Sequence, residues 1–171
     1  MPTIPEMERK GWADPGDAGS KEAAAYKATW IRDFTAGGRT FHVHKDALPL
    51  FKALVLLMGK NGVDIDAGIL DDWSYVNRDI RGYPGYKSYH SWGLAIDIDS
   101  TKNVLGSHTT SFPVGPTQKA ADACSLTWGY NWTARPDPMH FEYGGLRSDI
   151  PKALNKLKLR YPLVYRKATS S

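Results

Sequence analysis

The segment SYHSWGLAIDID, residues 88–99, decides how the chain is interpreted, because it combines the pattern of a β-strand with side chains that bind cations. Residues 93–98 alternate between large aliphatic residues and small or acidic ones, which predicts a strand. Asp97 then lies on the strand face opposite to the aliphatic residues, where an unpaired buried carboxylate is costly. His90 precedes the strand, and Gly93 permits a sharp turn, so the histidine can fold back toward Asp97.

Later in the chain, the sequence Asp137-Pro-Met-His140 brings a second pair of the same residue types. His140 opens a predicted short strand over residues 140–143, and Asp137 lies on the loop that leads into it. Together the two segments supply the inventory of a catalytic zinc centre, in which three protein ligands leave one position open and a spare carboxylate acts as general base. Two plainer interpretations stay open from the residues alone. These are a structural hydrogen bond between His90 and Asp97, and a turn role for Asp137 before a proline.

The combined pattern, a His-x6-Asp pair followed by an Asp-x-x-His pair, resembles that of a family of zinc peptidases. In this chain it is written Ser88-x-His90-x-x-Gly93-x-Ala95-x-Asp97, then Asp137-x-x-His140. The family contains D-Ala-D-Ala carboxypeptidases, L-alanyl-D-glutamate endopeptidases, vancomycin-resistance dipeptidases and many phage endolysins, and its fold resembles the signalling domain of hedgehog proteins. The arginine-bearing segment 75–82 and the segments 128–132 and 139–142 also resemble it. The resemblance covers roughly residues 39–143.

The resemblance implies a role for each residue of the pattern. His90, Asp97 and His140 would ligate zinc. Asp137 would be the general base and later the proton donor to the leaving amine, although many members of the family have glutamate at this position. Arg78 would steady the carbonyl oxygen as it gains negative charge, or clamp a substrate carboxylate.

Further residues are predicted to contact substrate or to support the ligands. Ser88, Arg81 and Trp92 are predicted as substrate-binding residues, with Arg81 competing with Arg78 for the arginine role. Glu142 could orient a ligand or form a surface salt bridge. Other positions are read in plainer terms: Asp99 as an outer-shell or turn residue, His42 and His44 as structural or surface residues, and Trp128 and Trp132 as core residues or a groove wall.

Composition narrows the classes of protein that the chain can represent. A length of 171 residues with 42% hydrophobic residues suits one domain with a core of its own. The net charge of +4 favours polyanionic surroundings without choosing among nucleic acid, anionic lipid and wall polymers. Cys124 is the only cysteine, which excludes an internal disulfide and predicts a small buried apolar residue.

The order of elements predicts an α+β fold, in which a small antiparallel sheet carries the zinc site and helices flank it. Strands are predicted over 39–44, 73–76, 93–98 and 140–143, and helices over 20–34, 45–58, 117–126 and 146–159. Residues 1–20 are expected to be an irregular lead-in, and residues 149–171 a basic C-terminal segment. All of these belong to one catalytic domain spanning residues 1–171.

We therefore expect a zinc peptidase that cuts the peptidoglycan stem peptide, with an endopeptidase of phage-endolysin type favoured, in particular an L-alanyl-D-glutamate endopeptidase. The N-terminus has no apolar signal-peptide region, so we expect synthesis in the host cytoplasm and action at the cell wall after release. A D,D-carboxypeptidase or D-Ala-D-Ala dipeptidase is the alternative enzyme, and a non-catalytic zinc-containing binding module is the alternative of another class. We expect a monomer that neither binds nucleic acid nor inserts into membranes.

Overall fold

The computed structural model of the chain describes residues 2–63 and 73–170. Its helices are α1 (Ile4–Arg9), α2 (Lys21–Trp30), α3 (Leu48–Lys60), α4 (Val114–Ala123), α5 (Ile150–Arg160) and α6 (Pro162–Thr169). Its strands are β1 (Ile31–Ala36), β2 (Arg39–His44), β3 (Asp79–Ile80), β4 (Tyr83–Lys87), β5 (Ala95–Asp97), β6 (Thr127–Trp128) and β7 (His140–Glu142). This mixture of helices with small antiparallel sheets confirms the predicted α+β fold.

The N-terminal segment is more ordered than the sequence analysis predicted. Thr3 caps α1, since its hydroxyl accepts a hydrogen bond from the backbone N–H of Glu6. Met7 and Trp12 are fully buried in the core, and the Trp12 indole N–H donates to the carbonyl of Gly145 at 3.0 Å. The prediction of an irregular lead-in was wrong for residues 4–9, which form α1, whereas residues 12–19 contain neither helix nor strand.

The hairpin of β1 and β2 replaces the end of the predicted first helix. Ser20 caps α2 at the start of the predicted helix over 20–34, but the helix ends at Trp30 and Ile31–Ala36 forms a strand. Gly37 and Gly38 both have positive φ angles, of 58° and 68°, which suits a two-residue hairpin turn. Pairing with the correctly predicted strand β2 thus overrides the helical propensity of the segment, and Phe34 stacks on Phe41 across the pair at 5.1 Å.

Helix α3 forms the centre of the core, as its apolar spacing predicts. Pro49 lies in its first turn, and the helix ends at Lys60, two residues beyond the predicted end at residue 58. Leu50, Phe51, Leu54 and Met58 have no exposed surface. The neighbours of α3 are α4, α5, α6 and β1.

The site is carried by a three-stranded antiparallel sheet with the order β5-β7-β6. Strands β5 and β7 correspond to the predicted strands over 93–98 and 140–143, and each is only three residues long. The predicted strand over 73–76 is reduced to an isolated bridge, in which the backbone of Trp73 exchanges two hydrogen bonds with Asp97. The hairpin of β3 and β4 lies between the predicted strands over 73–76 and 93–98, where no strand was predicted.

The C-terminal segment forms two helices instead of one. Helix α5 begins at Ile150 after a short 3₁₀ turn, and α6 was not predicted at all. Ala153 and Leu157 of α5 and Val164 and Ala168 of α6 are buried, so both helices pack on the core. The predicted helix over 117–126 begins earlier, at Val114, and ends at Ala123, and Cys124 beside it is buried as expected.

None of the helices in the described residues has the length and apolar character needed to cross a membrane.

Candidate metal centre

Strand pairing places an aspartate and a histidine side by side. Asp97 of β5 and His140 of β7 are direct partners in the antiparallel register, so their side chains extend from the same face of the sheet. The distance from His140 Nδ1 to Asp97 Oδ1 is 2.8 Å. Neighbouring strands therefore join two residues that are 43 positions apart in the sequence.

His90 reaches the same carboxylate from a 3₁₀ turn at Tyr89–Trp92, which immediately precedes β5. The turn ends at Gly93 with a φ angle of 67°, and a Cβ atom at this position would come within 2.6 Å of the backbone nitrogen of His44. Only glycine satisfies both conditions. The reversal brings His90 Nε2 to 3.2 Å from Asp97 Oδ1, so the fold-back predicted from Gly93 is confirmed.

The three side chains form a group whose ligand atoms all lie within 4.8 Å of one another. All three residues are buried. Two imidazoles and one carboxylate around a common point are a donor set that suits zinc and several other divalent ions. By the chemistry of its donors, the site therefore fits the metal that the sequence predicts.

Each histidine has a partner for its other ring nitrogen. The carbonyl oxygen of Ser74 lies 2.7 Å from His90 Nδ1, and Glu142 Oε2 lies 2.9 Å from His140 Nε2. Because these partners accept hydrogen bonds, they would keep the ring protons on His90 Nδ1 and His140 Nε2 with a metal bound, and the nitrogens that face Asp97 would then be free to ligate it. Such partners orient metal-binding histidines, which is the role considered for Glu142.

Charges within the cluster shift the pKa values of its members. Burial by itself raises the pKa of Asp97, but the two histidines outweigh this effect and hold it well below its usual range. Burial lowers the pKa of His140, whereas hydrogen bonds to Asp97 and Glu142 raise it, and the net result is a pKa of about 10. The carboxylates therefore favour positive charge at this point, as a cation site requires.

Asp137 lies beside the cluster without joining it. Its Oδ1 atom is buried and has no hydrogen-bond partner among the described residues. Burial raises the pKa of Asp137 to about 6, with the charge of His140 acting in the opposite direction. A buried carboxylate oxygen that lacks a protein partner is available to a water molecule or to substrate, as a general base must be.

Gly129 determines how close the Asp137 loop comes to the sheet. The backbone N–H of Asp137 donates to the carbonyl of Gly129 at 2.9 Å. A Cβ atom at residue 129 would lie 2.6 Å from the carbonyl oxygen of Asp137 and 3.3 Å from the Cβ atom of His140. The segment 128–132 is part of the family resemblance, but nothing in its local pattern indicates this close contact.

The two candidate arginines occupy different environments. Arg78 is half-buried, and burial lowers its pKa. The charges of Asp97 and Asp137 offset this effect only in part, but their influence means that the guanidinium lies within electrostatic reach of the site. Arg81 is exposed, and its carbonyl accepts a hydrogen bond from Arg135 at 2.9 Å. The charge of Arg135 also lowers the pKa of Asp137. The environment favours Arg78 for the arginine role, and Arg135 is a neighbour that the sequence analysis missed.

The other predicted substrate contacts have structural surroundings. Trp92 has no exposed surface, and its indole N–H donates to the carbonyl of Ala13 at 3.1 Å, a core position that does not fit the predicted contact with substrate. Ser88 is buried and caps the turn that carries His90. Trp132 is 36% exposed with its ring centroid 5.3 Å from that of His140, which suits the groove-wall interpretation, whereas Trp128 is buried against Phe141.

The comparisons with known proteins agree with this site. Residues 81–143 match the family model described as D-alanyl-D-alanine carboxypeptidase, and the matched segment contains His90, Asp97, Asp137 and His140. A little over a third of the chain is covered by the match. Searches of curated proteins and of solved structures found no significant match. The family match and the His–Asp–His cluster together support a zinc metallopeptidase.

Proposed function

We propose that this protein is a zinc-dependent peptidase that hydrolyses an amide bond in the stem peptide of peptidoglycan. The observation that carries the proposal is the convergence of His90, Asp97 and His140 on one point, with an unpartnered carboxylate oxygen of Asp137 beside them. A family match over this same segment supports the substrate class.

His90, Asp97 and His140 would hold the zinc ion. When bound, zinc supplies a Lewis acid that polarises a peptide carbonyl and lowers the pKa of water. Ser74 and Glu142 keep the two imidazoles in the orientation that ligation needs.

Asp137 would move the proton that hydrolysis requires. As a water oxygen bonds to the carbonyl carbon, Asp137 accepts a proton from that water, and it then gives the proton to the amine nitrogen as the C–N bond breaks. Burial raises the pKa of Asp137, so its carboxylate is a stronger base than an exposed aspartate and can both accept the proton and return it. Arg78 would balance the negative charge that develops on the carbonyl oxygen.

Within this class we propose an endopeptidase of phage-endolysin type that cuts the L-alanyl-D-glutamate bond and acts at the cell wall. A D,D-carboxypeptidase or D-Ala-D-Ala dipeptidase is the second candidate, and the description of the matching family favours it. A non-catalytic zinc-containing binding module is disfavoured by Asp137, because such a module has no need of a buried carboxylate with a raised pKa beside its metal.

Digestion of purified peptidoglycan with the zinc-loaded protein, followed by mass spectrometry, tests the proposal. We expect new amine termini, and the masses of the fragments identify the bond. An L-alanyl-D-glutamate endopeptidase releases stem peptides that begin at glutamate, a carboxypeptidase releases alanine, and a dipeptidase, assayed on free D-Ala-D-Ala, also yields alanine.

The matched variant is Asp137→Asn, which keeps the size of the side chain and removes its basicity. We expect its activity to fall by about 10²–10⁴-fold with its zinc content unchanged. If the wild-type protein binds zinc stoichiometrically and releases no fragment from any of these substrates, the peptidase proposal is wrong and the binding module replaces it.

A further inference from the structure

Basic residues are unevenly distributed along the chain. The whole chain contains 22 lysines and arginines and 18 acidic residues. Residues 150–171 contain six of the basic residues and no acidic residue, so the preceding 149 residues contain 16 basic and 18 acidic residues. The positive net charge of the protein therefore resides entirely in the segment that forms α5 and α6.

The two helices present these charges to solvent from a fixed position. The buried residues of α5 and α6 pack into the core, and α6 lies against both α3 and α5. Lys52 of α3 also donates to the carbonyl of Ser170 at 2.9 Å. All six basic side chains are exposed: Lys152, Lys156, Lys158, Arg160, Arg166 and Lys167.

The same surface exposes leucine side chains. Leu159 is 78% exposed and Leu163 is 59% exposed, the highest values among the large apolar side chains that the structure describes. The two residues lie on either side of the junction between the helices. Leu159 also lines a shallow depression on α5 together with cations, namely Lys152, Lys156 and Arg160. Leu159 thus lies among cations on α5, and α6 exposes both a leucine and two cations.

This combination distinguishes between anionic partners. A nucleic acid or a wall polymer would engage the cations, but it offers no hydrocarbon to the leucines. An anionic bilayer offers both phosphate groups at its surface and acyl chains just below them. A single exposed leucine needs no explanation, whereas two leucines that flank the junction of two helices carrying six exposed cations and no acidic residue favour the bilayer.

We propose that the outer surface of α5 and α6 binds anionic lipid bilayers peripherally. The lysines and arginines contact lipid phosphates, and Leu159 and Leu163 enter the boundary between headgroups and acyl chains. This attachment involves no membrane-spanning segment, and it does not depend on the peptidase activity proposed above.

Co-sedimentation with lipid vesicles tests the proposal. The full chain is mixed with vesicles of phosphatidylcholine and phosphatidylglycerol in equal parts, and separately with vesicles of phosphatidylcholine alone. We expect binding to the first vesicles, weakened by salt, and little binding to the second. Absence of binding to the anionic vesicles at low salt would overturn the proposal.

Two triple variants with the same change in net charge show where the binding surface lies. The test variant is Lys152→Gln/Arg160→Gln/Lys167→Gln, and the control, on exposed lysines of other helices, is Lys21→Gln/Lys27→Gln/Lys119→Gln. Since each cation near an anionic bilayer contributes about fivefold to affinity, we expect a loss of roughly 100-fold in the test variant and of a few-fold at most in the control. Equal losses in the two variants would show that only net charge matters, which contradicts the proposal.

The double variant Leu159→Ser/Leu163→Ser separates a bilayer from a soluble polyanion. We expect it to bind anionic vesicles more weakly and to leave any binding of a DNA duplex unchanged. If this variant binds vesicles like the wild-type protein, and the duplex binds as tightly as the vesicles, the surface recognises polyanions in general and the bilayer proposal is wrong. Thermal unfolding verifies that each variant is folded, and Leu159→Ser alone replaces the double variant if the latter is destabilised.

Discussion

The histidine pair of β2 and the histidine pair of the candidate metal centre differ in what lies between the rings. His90 and His140 both contact one buried carboxylate, Asp97. Among the residues that the structure describes, His42 and His44 share no such partner. His42 instead contacts the exposed Asp33, its register partner on β1, at 2.6 Å.

His44 is enclosed by aromatic rings. Its ring centroid lies 4.9 Å from that of Trp12 and 5.3 Å from that of Trp30, and only 1% of the residue is exposed. Burial lowers the pKa of His44 to about 4, so this histidine is neutral near pH 7. A candidate cation site therefore differs from a packed aromatic core in having a shared carboxylate, and not in the number or the spacing of its histidines.

The variant Asp97→Asn tests most directly whether the shared carboxylate makes the metal site. It removes the charge that both site histidines share, so we expect zinc bound after dialysis to fall from stoichiometric to near zero and peptidase activity to disappear with it. Metal analysis by atomic absorption measures the first effect. The matched variant Asp33→Asn, at the carboxylate of the β2 pair, should keep its zinc. Retention of stoichiometric zinc by Asp97→Asn would contradict the assignment of the ligands.

The pH dependence of stability tests whether His44, in the β2 pair, is held neutral by burial. The folded-state pKa of His44 lies below its ordinary value of 6.5, so the unfolded state binds the proton more readily. Burial of neutral His44 therefore makes a contribution to the free energy of unfolding that depends on pH. This stabilising contribution is fully present above pH 6.5 and is lost as the pH falls toward 4. Its full size is about 3 kcal/mol, since each pKa unit corresponds to about 1.4 kcal/mol.

Denaturant unfolding of the wild-type protein and of His44→Phe, both in EDTA, measures this contribution. The ring of phenylalanine fits between the same aromatic neighbours and does not titrate. The difference in stability between the two proteins should therefore change with pH between about 6.5 and 4. A constant difference over this range would show that His44 is not held neutral by burial.

Gly129→Ala tests whether the loop of Asp137 must approach the sheet this closely. The added methyl group would lie 2.6 Å from the carbonyl oxygen of Asp137, so the loop must move. A displacement of about 1 Å in a catalytic group costs roughly 10²-fold in rate, and we expect a loss of that size in kcat with zinc still bound. Gly115→Ala is the control, because nothing lies within 4 Å of the added atom there. Full activity of Gly129→Ala would show that the approach is not needed.

Glu142→Gln is expected to have the smallest effect. The amide oxygen of glutamine can still accept the hydrogen bond from His140 Nε2, but it lacks the charge that strengthens this bond. Loss of such outer partners lowers metal affinity by about 10–100-fold, and we expect the lower end of this range. Competition with a zinc chelator measures it. An unchanged affinity would assign Glu142 a surface role instead.

Several elements could be predicted because their signals are local. Ser20 at the start of α2, Pro49 in the first turn of α3 and the alternating residues of β2 each indicate structure within a few residues. The predictions failed where distant contacts override local preference. Ile31–Ala36 forms a strand because β2 pairs with it, and Trp92 is core because Ala13 and the core residues around it enclose its ring.

The α+β class, the central helix and the residue types of the candidate site could be predicted from the sequence alone. Periodicity, capping and motif spacing, on which these predictions rest, are properties of neighbouring residues. The tertiary structure was needed to show that Asp97 lies opposite His140, that a glycine at position 129 lets the Asp137 loop approach the sheet, and that α5 and α6 expose six cations and two leucines. The physical reason is that strand register and close packing depend on residues far apart in the chain, and no local pattern records which of them will meet.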